Sequence, residues 1–197
     1  MGYDSNDFYT KKAKEQNFAA RSVFKLEEMD QKFKIFKPNQ KILDLGAAPG
    51  SWSQYASKKI GPKGSLLGLD LTKIIIKLPN ARFLQADILK DDIYQLSKDT
   101  GFEDALYDVV MSDMAPNTTG IKITDQARSL ELCEMALNVA DQHLKKNGAF
   151  ICKLFHSEDF KTYQLRLKGM FKRVDVLKPK ATRQISKEIF FIAMGRL

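Results

Sequence analysis

Short apolar runs alternate with longer amphipathic stretches along almost the whole chain, and no other feature limits the fold so tightly. Runs at 41–46, 65–71, 82–88, 107–113, 149–155, 174–179 and 188–195 have the length and apolar content of strands. Segments near 51–60, 91–100, 124–146 and 157–170 have helix-like spacing. Strands joined by helices run parallel, and the helices cover both faces of the sheet. The pattern therefore predicts an α/β fold with a mostly parallel sheet of seven strands. Only eight residues separate 179 from 188, too few for a crossover helix. The last two strands are expected to pair antiparallel at an edge.

Before the first strand, Val23, Leu26, Met29 and Phe33 form an apolar stripe at helical spacing, with Lys25 beside it. The stretch 1–40 thus reads as a helical extension. In 124–146, Leu130, Cys133, Leu137, Ala140 and Leu144 share one face. Thr124 is expected to cap this helix, Lys145 and Lys146 to lie in its last turn, and Gly148 to follow it. No repeat or linker splits the 197 residues, so one domain, 1–197, is expected.

Charge is unevenly placed. Residues 143–197 hold 13 Lys and Arg against 4 Asp and Glu, whereas 1–142 hold 19 against 20. A basic face on a near-neutral body suits a phosphate backbone, and Lys172, Arg173, Lys178, Lys180 and Arg183 are its candidates, with Lys11, Lys12 and Lys14 as the rival site. The two cysteines, Cys133 and Cys152, sit in apolar segments away from any metal-ligand spacing and read as core thiols of a reducing compartment. His143 and His156 are expected at the surface, and no metal site is expected. The first six residues lack the apolar core of a signal peptide, and no apolar run approaches membrane-spanning length. These features imply a cytoplasmic protein, or an organellar one, such as a mitochondrial protein, if a leader has been trimmed.

Chemistry concentrates at the strand ends, where open α/β sheets bind ligands. Asp44-Leu-Gly46-Ala-Ala-Pro-Gly50-Ser-Trp52 is a strand running into a glycine loop that opens a helix. Such a loop lets backbone N–H groups approach a ligand closely. It lacks the Gly-Lys-Ser/Thr of a P-loop, and its glycines are four apart, unlike a nicotinamide fingerprint; a dehydrogenase is the alternative reading. Asp70 ends the second strand, where a carboxylate can accept from a ribose diol, and Asp87 ends the third, where it can meet the exocyclic amine of adenine. Lys153 interrupts an apolar strand, which demands a partner, and Asp113 ends the neighbouring strand where the two can pair.

The loop 44–52 resembles the S-adenosylmethionine loop of the FtsJ/RrmJ family of ribose 2′-O-methyltransferases, and the likeness continues through Met111-Ser-Asp-Met-Ala-Pro-Asn117. The resemblance covers roughly Phe18 to Gly195. It implies a Rossmann-like class I methyltransferase fold with S-adenosylmethionine as cofactor and Asp44, Gly46, Gly50, Trp52, Asp70, Asp87 and Asp113 on it. It also implies a catalytic tetrad of Lys25, Asp113, Lys153 and Glu188, with Lys153 as neutral base or as stabiliser of the alkoxide. The run after the fourth strand lacks the paired prolines and aromatic of adenine amino-methyltransferases. The expected activity is 2′-O-methylation of large-subunit ribosomal RNA by a monomer. The alternatives are a tRNA or mRNA-cap ribose methyltransferase, or an idle RNA-binding assembly protein. Phe190 stands where bacterial members carry tyrosine; on an edge strand its ring is expected to stack on a nucleotide, with plain core packing as the alternative.

Overall fold

The computed structural model describes residues 8–183 and 186–197; the first six residues, read above as lacking a signal-peptide core, lie outside them. Two helices, α1 (Phe8–Glu15) and α2 (Val23–Phe33), precede β1 (Lys41–Leu45). There follow α3 (Ser51–Ile60), β2 (Ser65–Asp70), β3 (Ala81–Gln85), α4 (Ile93–Asp99), β4 (Tyr107–Ser112) and α5 (Lys122–His143). The chain continues through β5 (Leu144–Phe155), α6 (Phe160–Met170), β6 (Phe171–Leu177) and β7 (Glu188–Arg196). The seven strands lie in the order β3-β2-β1-β4-β5-β7-β6. Pairs β3 to β5 are parallel, while β7 is antiparallel to both β5 and β6.

The seven strands, their mostly parallel order and the antiparallel β6–β7 pair match the sequence pattern. What differs is the place of β7: it is inserted between β5 and β6, so β6 alone forms that edge. Phe190 is consequently not on an edge strand. It is fully buried, with its ring centroid 5.8 Å from that of Trp52, and the expected nucleotide stacking gives way to core packing.

Alternation along β1 sorts its side chains. Leu43 and Leu45 face the layer of α4, α5 and α6, while Ile42 faces α2 and α3. Asp44 shares the Ile42 face, which turns its carboxylate toward Ser53 of α3. In β4 the parity changes: a register shift between Tyr107 and Val109 puts Val109 and Met111 with α2 and α3.

Two expectations about α5 fail at its ends. The helix starts at Lys122 after Ile121, which makes no side-chain cap bond. Asp125 supplies the order there instead, accepting from Thr119 N at 2.7 Å and Gly120 N at 3.1 Å, so Thr124 is not the cap. At the other end Leu144 adopts extended geometry to pair with Tyr107. Lys145 and Lys146 therefore belong to β5, and Lys145 Nζ reaches Asp108 at 3.0 Å. His143, expected at the surface, is buried with Nδ1 3.0 Å from the Ala105 carbonyl. His156 is exposed as expected, and both cysteines are buried and free. Among the described residues no helix is long and apolar enough to cross a membrane.

Candidate active site

Strand order reverses between β1 and β4, and a crevice opens at their carboxyl ends, as the topology requires. It holds a cavity of about 600 Å³ whose walls include Gly46, Asp70, Asp87, Asp113 and Met114. That volume suits a small-molecule ligand. Gly46 has φ +73, and a Cβ there would come within 2.4 Å of Met114 Cγ, so only glycine lets the loop and the β4 end close together.

Backbone amides fix the carboxylates of this cavity. Asp70 accepts from Ala48 N at 2.9 Å through Oδ2 and from Thr72 N at 2.7 Å through Oδ1. A carboxylate has about four lone-pair sites, so each oxygen keeps acceptor capacity for a ribose diol. Asp87 accepts from Leu89 N at 3.0 Å and lies 3.1 Å from Lys90 Nζ. Those bonds, the Leu89 amide first, hold its carboxyl below the ordinary value.

Asp44, Gly50 and Trp52 do not line that cavity. Asp44 is 1% exposed and accepts from Ser53 Oγ at 2.6 Å, while its Oδ1 has no partner. Burial pushes its carboxyl up to about 7, against the Ser53 bond and with help from Asp113 and Asp70. Gly50, at φ +106, precedes α3 beneath Ile76, whose Cδ1 would lie 2.2 Å from an added Cβ. Trp52 Nε1 donates to the Ser22 carbonyl at 3.0 Å and ties the start of α3 to the start of α2.

The four charged residues fall into two ion pairs. Lys153, only 7% exposed, donates to the Asp113 carbonyl at 2.6 Å, with Asp113 Oδ1 2.9 Å away in an ion pair that lacks hydrogen-bond alignment. Lys25 of α2 contacts Glu188 of β7, and both side chains are largely covered. Lys153 is opposite Phe190 and Glu188 opposite Phe155, so the two charged residues are diagonal neighbours on one face. Cys133, a residue the sequence reading treated only as core, supports this from behind: Sγ donates to the Lys153 carbonyl at 2.8 Å.

The model of the FtsJ-like methyltransferases matches residues 18–196. This chain belongs to that family. It is 58% identical over 196 residues, all of both chains, to the ribosomal RNA large subunit methyltransferase E of Bdellovibrio bacteriovorus. The protein of the same name from Nitratidesulfovibrio vulgaris is 47% identical over 195 residues, 96% of this chain and 94% of its own. A crystal structure described as a ribosomal RNA methyltransferase of Plasmodium falciparum aligns with TM-score 0.79 and 31% identity, covering 91% of this chain and 99% of that one. The family member is therefore an S-adenosylmethionine-dependent methyltransferase, and the cavity fits that cofactor. The hydroxyls, exocyclic amine and ammonium of the cofactor are donors, and the walls present three carboxylates as acceptors.

A second region lies beyond the ends of β5 and β7. Lys122, His156, Lys178, Lys187 and Ile189 line a concavity of about 360 Å³. Of the five basic residues expected to meet RNA only Lys178 lies here. Lys172 bonds Asn147 at 2.6 Å, and Arg173 pairs with Asp175.

Proposed function

We propose that this chain methylates a ribose 2′-oxygen in large-subunit ribosomal RNA. The observation that carries the reading is the buried Lys153–Asp113 pair beside the carboxylate-lined cavity. A covered ammonium is costly to keep unless it is used or paired, and this one is paired with Asp113 of the cavity wall. Full-length likeness to two large-subunit methyltransferases supports the choice of RNA, and a cytoplasmic place of action goes with it.

S-adenosylmethionine, when bound, supplies an electrophilic sulfonium methyl. Asp70 would hold its ribose hydroxyls and Asp87 its exocyclic amine, with Asp113 on the adjoining wall and the Gly46 backbone close by. Asp113 meets Lys153 Nζ with its carbonyl as hydrogen-bond acceptor and its carboxylate as a close counter-charge, so that nitrogen keeps positions free for the target oxygen. Lys153 either receives the hydroxyl proton or holds the developing oxygen charge with an N–H. Either role places the same nitrogen against the same oxygen. Lys25 and Glu188 neutralise each other at the diagonal position and orient the acceptor ribose, and alignment of this kind is worth up to roughly 7–11 kcal/mol in favourable systems.

The test is tritiated-methyl transfer to large ribosomal subunits from cells lacking the enzyme, followed by nuclease digestion to nucleosides. Label in a 2′-O-methyl nucleoside of the large-subunit RNA is the expected result. Label in a base, or only in tRNA or a cap, overturns the reading.

A further inference from the structure

Lys122 opens α5, Lys178 follows β6 and Lys187 precedes β7, yet all three border the concavity beyond β5 and β7. They are exposed, and none of them is in an ion pair among the described residues. Among the described residues no carboxylate lines this hollow. Of the acids nearest in sequence, Asp125 takes its bonds from Thr119 and Gly120 and borders an adjoining hollow with Lys122 and Lys187, and Glu188 holds Lys25. Glu158 and Asp159 border the neighbouring hollow. Three like charges around a lining without a carboxylate raise the potential inside it, and an anion relieves it.

The arrangement is held by the backbone. His156 N donates to the Lys187 carbonyl at 2.9 Å, and the His156 carbonyl accepts from Gln126 Nε2 at 2.6 Å. The His156 ring stacks on Phe160 at 5.2 Å and 16°. These bonds join the end of β5, the start of β7 and α5 around one point. Ile189, which also lines the hollow, is the next residue after Glu188 of the buried ion pair and faces the other side of the sheet, so the hollow lies at the same end of β7 as that pair, across the strand from it.

We propose that this concavity seats a backbone phosphate of the RNA neighbouring the ribose to be methylated, and that Lys122, Lys178 and Lys187 are positioning residues. The proposal rests on the reading of the chain as an RNA ribose methyltransferase. A phosphodiester lies at a fixed span from each 2′-oxygen, so holding one fixes the position of the nucleotide along the strand without reading its base.

The experiment compares wild type, the triple variant Lys122→Gln/Lys178→Gln/Lys187→Gln, and a control triple, Lys11→Gln/Lys12→Gln/Lys14→Gln, of equal charge change. Large ribosomal subunits from enzyme-deficient cells are the methyl acceptor, and RNA extracted from them is the binding probe. For the pocket triple, KM for the acceptor should rise at least tenfold with kcat within threefold. The slope of log affinity against log salt should flatten by about 0.7 per lysine lost, and the cofactor Kd should stay within twofold. The control triple should show much less of each. A wild type that transfers no methyl to these particles overturns the reading underneath. An active wild type with unchanged KM and salt slope in the pocket triple overturns the phosphate site alone, as does an equal loss in the control triple.

Discussion

The two sides of the crevice hold their charges by different means. At β2 and β3, Asp70 and Asp87 are fixed first by backbone N–H groups, with the exposed Lys90 ammonium beside Asp87 as well. Toward β5 and β7, Asp113 and Glu188 are fixed by the ammonium groups of Lys153 and Lys25. A carboxylate held by the backbone is a rigid acceptor, which suits recognition of a ligand rich in donors. A carboxylate held by a lysine shares its partner, and that partner can turn to an incoming oxygen. Asp44 belongs to neither class: a single hydroxyl serves it, and burial raises its carboxyl against that bond.

The comparison breaks most visibly at Lys153. Lys153→Ala should lower kcat by about a hundredfold or more, in the range of general acid–base effects, while calorimetry finds the cofactor Kd within about threefold of wild type. A residual turnover above about a tenth would remove Lys153 from the chemistry. On the other side, Asp70→Ala should weaken cofactor binding by at least about tenfold, the size of one hydrogen bond to a charged group. Cofactor affinity unchanged in that variant would mean that Asp70 only shapes the glycine loop.

Asp44 gives a pH-dependent test of the same contrast. Its folded-state carboxyl, near 7, lies above the ordinary value of 3.8. Folding therefore favours the protonated form, and the associated stability is fully present below pH 3.8 and lost as pH rises through 7. Between pH 6 and 8 the loss should be on the order of 1 kcal/mol for the cofactor-free protein. Denaturant titrations should show that Asp44→Asn removes this slope; an identical slope in the variant would place the titrating group elsewhere. The smallest effect is expected at Phe190, buried against Trp52. Phe190→Tyr should change turnover by less than about tenfold, since a net neutral hydrogen bond contributes roughly 0.5–1.5 kcal/mol. A larger change would show that a hydroxyl at this place reaches the reacting groups.

Much of this was legible from residues alone because the signals are local. A strand is a run of neighbours, and an ammonium amid Ile151, Cys152 and Leu154 announces itself as misplaced. The pairing of Lys153 with Asp113 followed from adjacent strand ends. The insertion of β7 between β5 and β6 was not legible, because a short connection says that two strands pair and not which other strand one of them also joins. Phe190 was misjudged for that reason, and His143 because a backbone carbonyl 38 residues away is its partner. Thr124 had the chemistry of a cap, but Asp125 one position later takes the loop amides. Lys122 and Lys187 carry no signal of their own; only the fold brings them beside Lys178.

The place of β7 also sets an order of events while the chain is being made. Strand β6 precedes β7 yet joins the sheet only through it. Until residues 188–196 have been synthesised, β6 has no ladder to enter and the far side of β5 is an open edge, the kind of surface that recruits strands from other chains. Glu188 arrives with the same segment, so the partner of Lys25 and the strand that shuts the edge are delivered together. A nascent chain thus keeps that edge open until it acquires the second ion pair of the site.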